Sequence, residues 1–213
     1  MNRVLGSPNL YVIADREALA GRDLPDAVVE IADAEVDWIQ IRDKTGDDGR
    51  LFREVEQCCR RLEGRATRLW VDDRVDLAAL LPVAGVHLGQ SDLSPATARK
   101  LLGVAPWIGR STHSLEQVRE ADREPAVDVV AVGPVFATIS KKNADPTVGL
   151  EFLRRARRLT NRLIVAIGGI TVDNLRAVLD AGADSVVVLG AVCRADNIGQ
   201  SCRRMLAVGA GES

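Results

Sequence analysis

Short apolar runs alternate with amphipathic stretches along the whole chain. Eight runs read as strands: Leu10–Ala14, Trp38–Ile41, Arg68–Val71, Val86–Leu88, Trp107–Gly109, Val127–Val132, Leu163–Ala166 and Ser185–Leu189. They are short, nearly continuous in apolar character and bounded by polar or Gly residues, as strands buried on both faces should be. Between them, apolar residues recur at i, i+3 and i+4, as in Leu51, Val55 and Cys58–Cys59, and again in Leu175, Val178 and Leu179. Ser94-Pro95, Ser114 with Gln117, and Asp173 supply helix starts; Gly103 and Gly182 supply stops. Strict strand–helix alternation predicts a parallel sheet. Eight units in 213 residues average about 27 residues each, which suits a compact α/β single-domain (β/α)8 TIM barrel spanning residues 1–213. A doubly wound sheet would call for a Gly-rich turn after the first strand, and Asp15-Arg16-Glu17 stands there instead.

Composition narrows the function classes. With 46% hydrophobic and 27% charged residues and a net charge of −2, the chain reads as a globular protein without the basic face that nucleic acid demands. It has no apolar run of transmembrane length and no leader pattern, so a cytoplasmic location is expected. Cys58, Cys59, Cys193 and Cys202 lack metal-site spacing and read as buried or half-buried thiols on helices. Only four of the 28 cationic side chains are Lys: Lys44, Lys100, Lys141 and Lys142.

In a barrel of this kind the chemistry lies where strands end. The second strand ends in Gln40-Ile41-Arg42-Asp43-Lys44, whose alternation puts Gln40, Arg42 and Lys44 on one face, suited to a phosphate or pyrophosphate. Asp72-Asp73 follows the third strand and His87-Leu88-Gly89-Gln90-Ser91-Asp92 the fourth. Carboxylates on adjacent strand ends suit Mg²⁺, with Asp73 also placed to cap the next helix. Ser111, Thr112 and His113 follow the fifth strand, the hydroxyls as ligands or caps and His113 as an acid or base. Gly133 to Thr147 is the longest irregular stretch and predicts a binding loop or lid. Gly168-Gly169 after the seventh strand and Gly190 after the eighth let backbone N–H groups approach a phosphate. The loops thus describe two anion-accepting ends in one pocket.

In combination and order, Trp38–Lys44, Asp72-Asp73, Val86–Asp92, Gly133-Pro134 with Thr138–Lys141, and Ala166–Ile170 resemble thiamine phosphate synthases over almost the whole chain. The resemblance implies an enzyme that joins a pyrimidine diphosphate to a (carboxylated) thiazole phosphate, releasing pyrophosphate by a dissociative substitution. It implies that Gln40, Ile41, Arg42, Asp43 and Lys44 hold the diphosphate substrate together with Ser111 and Lys141. Arg42, Lys44, Ser111 and Lys141 would assist departure of the pyrophosphate. It further implies that Asp72 and Asp92 bind Mg²⁺, that His87 lies near the pyrimidine, and that Thr138, Ile139, Ser140, Gly169, Leu189 and Gly190 surround the thiazole phosphate. One departure stands out: the family has a substrate-contacting Asn just before the metal aspartate, and Val71 precedes Asp72. Related thiazole tautomerases share the Gly109–Ser114 segment and form an alternative, as does a non-catalytic barrel that binds a thiamine precursor. The implied partners are small molecules, with no nucleic acid and no membrane; the oligomeric state, including a homo-oligomer, is left open.

Overall fold

The computed structural model describes residues 6–138 and 146–211. Eight parallel strands close into a barrel in sequence order: β1 (Tyr11–Asp15), β2 (Trp38–Arg42), β3 (Arg68–Asp72), β4 (Gly85–Leu88), β5 (Trp107–Thr112), β6 (Val129–Val132), β7 (Leu163–Ile167) and β8 (Ser185–Val188). β8 pairs back onto β1, with Tyr11 opposite Val187. The intervening helices are α1 (Leu24–Asp33), α2 (Asp48–Arg61), α3 (Val75–Leu80), α4 (Pro95–Leu102), α5 (Leu115–Arg123), α6 (Gly149–Arg157) and α7 (Leu175–Asp180). After β8 come the short α8 (Gly190–Cys193) and α9 (Ile198–Ala210).

Capping chemistry sets several helix starts. The side chains of Asp23, Asp47, Ser94, Ser114 and Asn197 each accept a backbone N–H from the first turn that follows, satisfying donors the helix itself cannot. Ser114 caps α5 by accepting from Gln117 N as expected, and only the return arm of the box moves by one residue: the Gln117 amide oxygen accepts from His113 N at 2.7 Å. α7 starts at Asn174, one residue beyond the expected Asp173, and Asn174 accepts from Thr171 N at 2.9 Å.

Alternation within each strand splits the core in two. Tyr11, Ile13, Trp38, Trp70, Val129, Ala131, Val165 and Val187 fill the barrel interior. Val12, Ile39, Ile41, Val71, Val86 and Ile108 face outward and pack beneath the helices. Tyr11, Trp38 and Trp70 plug the lower barrel, with the Trp38 and Trp70 rings 4.8 Å apart and Tyr11 edge-on to Trp38 at 5.4 Å. Trp70 lies so close to β4 that a Cβ on Gly85 would sit 2.5 Å from its ring, so β4 needs glycine there. All four cysteines are free thiols on helices, as their spacing suggested. Burial pushes the Cys58 and Cys202 thiols up to about 12, which leaves them unreactive.

Candidate active site

At the C-terminal ends of the strands a cavity of about 850 Å³ opens. Gln40, Arg42, Lys44, Asp72, His87, Asp92, Ser111, Thr138, Gly169, Leu189 and Gly190 all line it, so most of the expected site residues converge. Ile139, Ser140 and Lys141, and the middle of the expected lid, lie outside the described residues. The N-terminal flank of that loop is held against the end of β7. Val135 N donates to Ile167 O at 2.8 Å and Phe136 N to Gly168 O at 3.0 Å.

The β2–β4 side is a polar chain that begins inside the barrel. Burial first, and then the charge of Asp72, raise the Tyr11 pKa well above its ordinary value, so its hydroxyl stays protonated and donates to Gln40 Oε1 at 2.7 Å. That fixes the amide, and Gln40 Nε2 donates to Asp72 Oδ1 at 2.9 Å. Asp72 also meets Arg42 Nε at 3.3 Å and Lys44 Nζ at 3.2 Å. Arg42 pairs in addition with the buried Asp15, and Lys44 with Asp73. Partial burial of Lys44 works against its charge, but Asp72 and Asp73 together raise its pKa above the ordinary value.

Asp73 corrects the sequence reading. Its φ of +59° places it in the left-handed region that L residues seldom visit. Its N–H bonds to His87 O at 2.8 Å. The strand alternation is therefore broken, and Asp72 and Asp73 both line the cavity. Asp73 does not cap α3, whose N-cap is Arg74 with no side-chain cap. Instead Asp73 faces Asp92, and the Asp92 pKa is raised by burial first and then by Asp73. Asp92 also accepts Gly89 N at 2.7 Å. The carboxylate partner of Asp92 is thus Asp73, where Asp72 was expected.

Three expected contacts do not reach this cavity. Ile41 and Val71, 2% and 1% exposed, point outward into the core beneath the helices, because inward and outward positions alternate along a strand. Val71 therefore does not occupy the place of the family's Asn. The next two residues, Asp72 and Asp73, are the ones that line the cavity. Asp43 is a strut, ion-paired with Arg16 at 3.1 Å and Arg50 at 3.2 Å. It lines a small neighbouring recess with Lys44, Asp72, Asp73 and Arg74.

His87 and Ser111 are joined across β4 and β5, His87 Nε2 to Ser111 Oγ at 2.9 Å. A Cβ on Gly109 would fall 2.4 Å from His87 Nδ1, so glycine makes room for that ring. His113 Nδ1 meets the Gly133 carbonyl at 2.6 Å. A carbonyl only accepts, which puts the proton on Nδ1. The loop carrying Asp92 is braced by Arg110 Nη1, which donates to Gly89 O at 2.6 Å. Across the cavity, Ile167, Gly168, Gly169, Ile170, Val187, Leu189 and Gly190 form a largely apolar wall. A Cβ on Gly169, at φ +62°, would meet Ala137 O at 2.4 Å, so the wall is closed against the start of the long loop. Tyr11, Asp15 and Arg194 were missed from sequence. Tyr11 and Asp15 sit on a strand buried on both faces, where periodicity does not mark which side is the barrel interior. Arg194, a cavity residue, follows an apolar segment four residues past Gly190, and its only signal is a cation close behind a glycine strand end.

A family model described as thiamine monophosphate synthase matches residues 10–192. A thiamine-phosphate synthase of Koribacter versatilis is 43% identical over 85% of this chain and 87% of its own length. One from Syntrophomonas wolfei is 35% identical over 92% and 94% respectively. The solved thiamine phosphate pyrophosphorylase of Pyrococcus furiosus superposes with a TM-score of 0.85 at 29% identity, covering 95% of both chains. With matches of this extent joined to a barrel whose strand ends gather these residues, the chain belongs to the thiamine monophosphate synthase family.

Proposed function

We propose that this chain is a thiamine-phosphate synthase, a transferase joining 4-amino-2-methyl-5-hydroxymethylpyrimidine diphosphate to (carboxylated) hydroxyethylthiazole phosphate with loss of pyrophosphate. The observation that carries the reading is the gathering of Gln40, Arg42, Lys44, Asp72, Asp73 and Asp92 at one end of a single cavity. Arg42 and Lys44 are placed to take the negative charge that grows on the departing pyrophosphate. Their present carboxylate partners hold both cations in position before substrate arrives. Gln40, with its amide fixed by Tyr11, presents an N–H edge for orienting the pyrimidine diphosphate. Ser111 and His87, bonded to each other, form the adjacent wall. The apolar side of the cavity receives the thiazole and keeps water from the pyrimidine-methylene cation.

Mg²⁺ fits the residues present. Asp73 and Asp92 bring two carboxyl groups together, and burial and then the neighbouring Asp73 raise the Asp92 pKa, a like-charge pairing that a divalent cation relieves. Two carboxylates with phosphate oxygens completing the shell is the usual donor set for this ion. When bound, it supplies positive charge to the leaving pyrophosphate. Lys141, with Thr138, Ile139 and Ser140, is assigned to the substrates by resemblance. No helix among the described residues is long and apolar enough to cross a membrane, in keeping with a biosynthetic enzyme of the cytoplasm. A tautomerase needs no diphosphate end and would leave Lys44, Asp73 and Asp92 without a task. Incubating the protein with both substrates and Mg²⁺ should release equal amounts of pyrophosphate and thiamine phosphate. Pyrophosphate-free aromatisation of a thiazole tautomer, with no condensation, would overturn the reading.

A further inference from the structure

The charged side chains lining the cavity are unevenly placed. Among the described residues they are Arg42, Lys44, Asp72, Asp73, Asp92 and Arg194. The first four are linked by ion pairs at the β2–β4 end, and Asp92 faces Asp73 there. Two cations stand among three carboxylates there, so an anion of high charge settles at that end together with a divalent cation. Arg194 stands apart. It is the C-cap residue of α8, immediately beyond the β8 strand end, on the side of Gly169, Leu189 and Gly190. Among the described residues it has no carboxylate within ion-pair distance and no side-chain hydrogen bond, whereas Arg42 and Lys44 are both paired. Apart from Thr171, the β7–β8 side of the cavity is lined by apolar residues and glycine, among them Ile167, Gly169, Ile170, Leu189 and Gly190.

We infer that Arg194 binds the monophosphate of the second substrate and sets the preference for a phosphorylated over an unphosphorylated thiazole. The inference rests on the synthase reading and adds a residue to it. A guanidinium matches two phosphate oxygens at once. Arg194 is exposed at the cavity mouth, and a cation with no carboxylate partner attracts an anion more strongly than one already held by carboxylates. The cavity thereby sorts its two anions by charge: the diphosphate goes to the β2–β4 end with its cation, and the monophosphate to the Arg194 end. The glycines leave room on that wall for the phosphate to come close to the backbone.

The test compares wild type, Arg194→Ala and Arg194→Lys by steady-state kinetics with thiazole phosphate and with the corresponding alcohol. It also measures binding of thiazole phosphate by calorimetry in the absence of the pyrimidine substrate. Loss of one charged contact should raise KM for thiazole phosphate about tenfold. KM for the pyrimidine diphosphate and the rate with the alcohol should stay as they were. Arg194→Lys should recover part of the loss. Calorimetry should show the same weakening, and it reads the contact even in a protein that does not turn over. An unchanged KM and affinity for thiazole phosphate in Arg194→Ala overturns the inference, as does an equal loss with the alcohol or a rise confined to the diphosphate. Wild type that binds thiazole phosphate through Arg194 but forms no thiamine phosphate would overturn the synthase reading and leave this one standing.

Discussion

Neutralising Asp73 or Asp92 should abolish the response of the protein to Mg²⁺, while neutralising Asp72 should largely preserve it. The reasoning starts from geometry. Asp73 and Asp92 face each other in the cavity, and burial followed by Asp73 raises the Asp92 pKa. Asp72 is already engaged by Gln40, Arg42 and Lys44, so its lone pairs are largely spent. Between the ordinary carboxylate pKa of about 3.9 and the raised folded value, the native state keeps a proton that the unfolded chain has released. Metal-free stability therefore falls as pH rises through that window. Mg²⁺ competes with that proton, so its stabilising effect should grow with pH over the same range. With inorganic pyrophosphate present and Mg²⁺ at a hundred times its dissociation constant, binding adds about 2.7 kcal/mol. For a domain of this size that corresponds to roughly 5–11 °C in melting temperature. The assay is thermal unfolding of wild type, Asp72→Asn, Asp73→Asn and Asp92→Asn, with Mg²⁺ and with EDTA, each with pyrophosphate. Asp73→Asn and Asp92→Asn should both lose the shift, each read against its own metal-free melting temperature, because Asp73→Asn also gives up the ion pair with Lys44. If Asp72→Asn loses the shift and Asp73→Asn keeps it, the assignment of the metal to Asp73 is wrong. A wild type indifferent to Mg²⁺ under these conditions refutes the site itself.

Tyr11→Phe should strand the buried Gln40 amide oxygen, lower stability by about 1–3 kcal/mol in urea denaturation and raise KM for the pyrimidine diphosphate; full stability with unchanged KM would show that the hydroxyl does not orient Gln40. Val71→Asn puts an amide into the core beneath the helices. It should cost about 1–3 kcal/mol with no gain in kcat/KM, and a gain would mean that this side chain reaches the substrate after all. Gly109→Ala drives a Cβ to within 2.4 Å of His87 Nδ1 and should lower kcat/KM by displacing the ring from Ser111. In a His87→Ala background the same change should cost little, and an undiminished cost there would count against the contact.

The fold was legible because its signals are repeated. Eight apolar runs at a nearly constant spacing, each followed by a helical period, leave little besides a parallel barrel. Strand ends moved by one to three residues: β1 runs on to Asp15, and β5 continues past Gly109 through Ser111 and Thr112, which the sequence placed in a loop. Those errors matter little for topology. They matter more at the mouth, where a residue counted as loop is in truth held in the ladder, as Ser111 is opposite Ala131.

The site was legible wherever strand alternation holds and misread at the point where it stops. Gln40, Arg42 and Lys44 were put on one face from a two-residue period, and all three line the cavity. The same period, extended past β3, makes Asp73 an outward or capping residue. The left-handed turn at Asp73 cancels that inference and delivers two consecutive carboxylates to the mouth. No feature of the Val71-Asp72-Asp73-Arg74 string announces a positive φ. Asp tolerates it better than most residues, but Asp is also the commonest kind of cap, and the string favours neither. What decides is the neighbouring strand. The Asp73 N–H finds the His87 carbonyl, and Lys44 and Asp92 meet its carboxylate from either side. These partners are 14 to 29 positions away in the chain. A one-residue difference in which aspartate meets the metal is therefore a tertiary fact, written across β2, β3 and β4 together and in none of them alone.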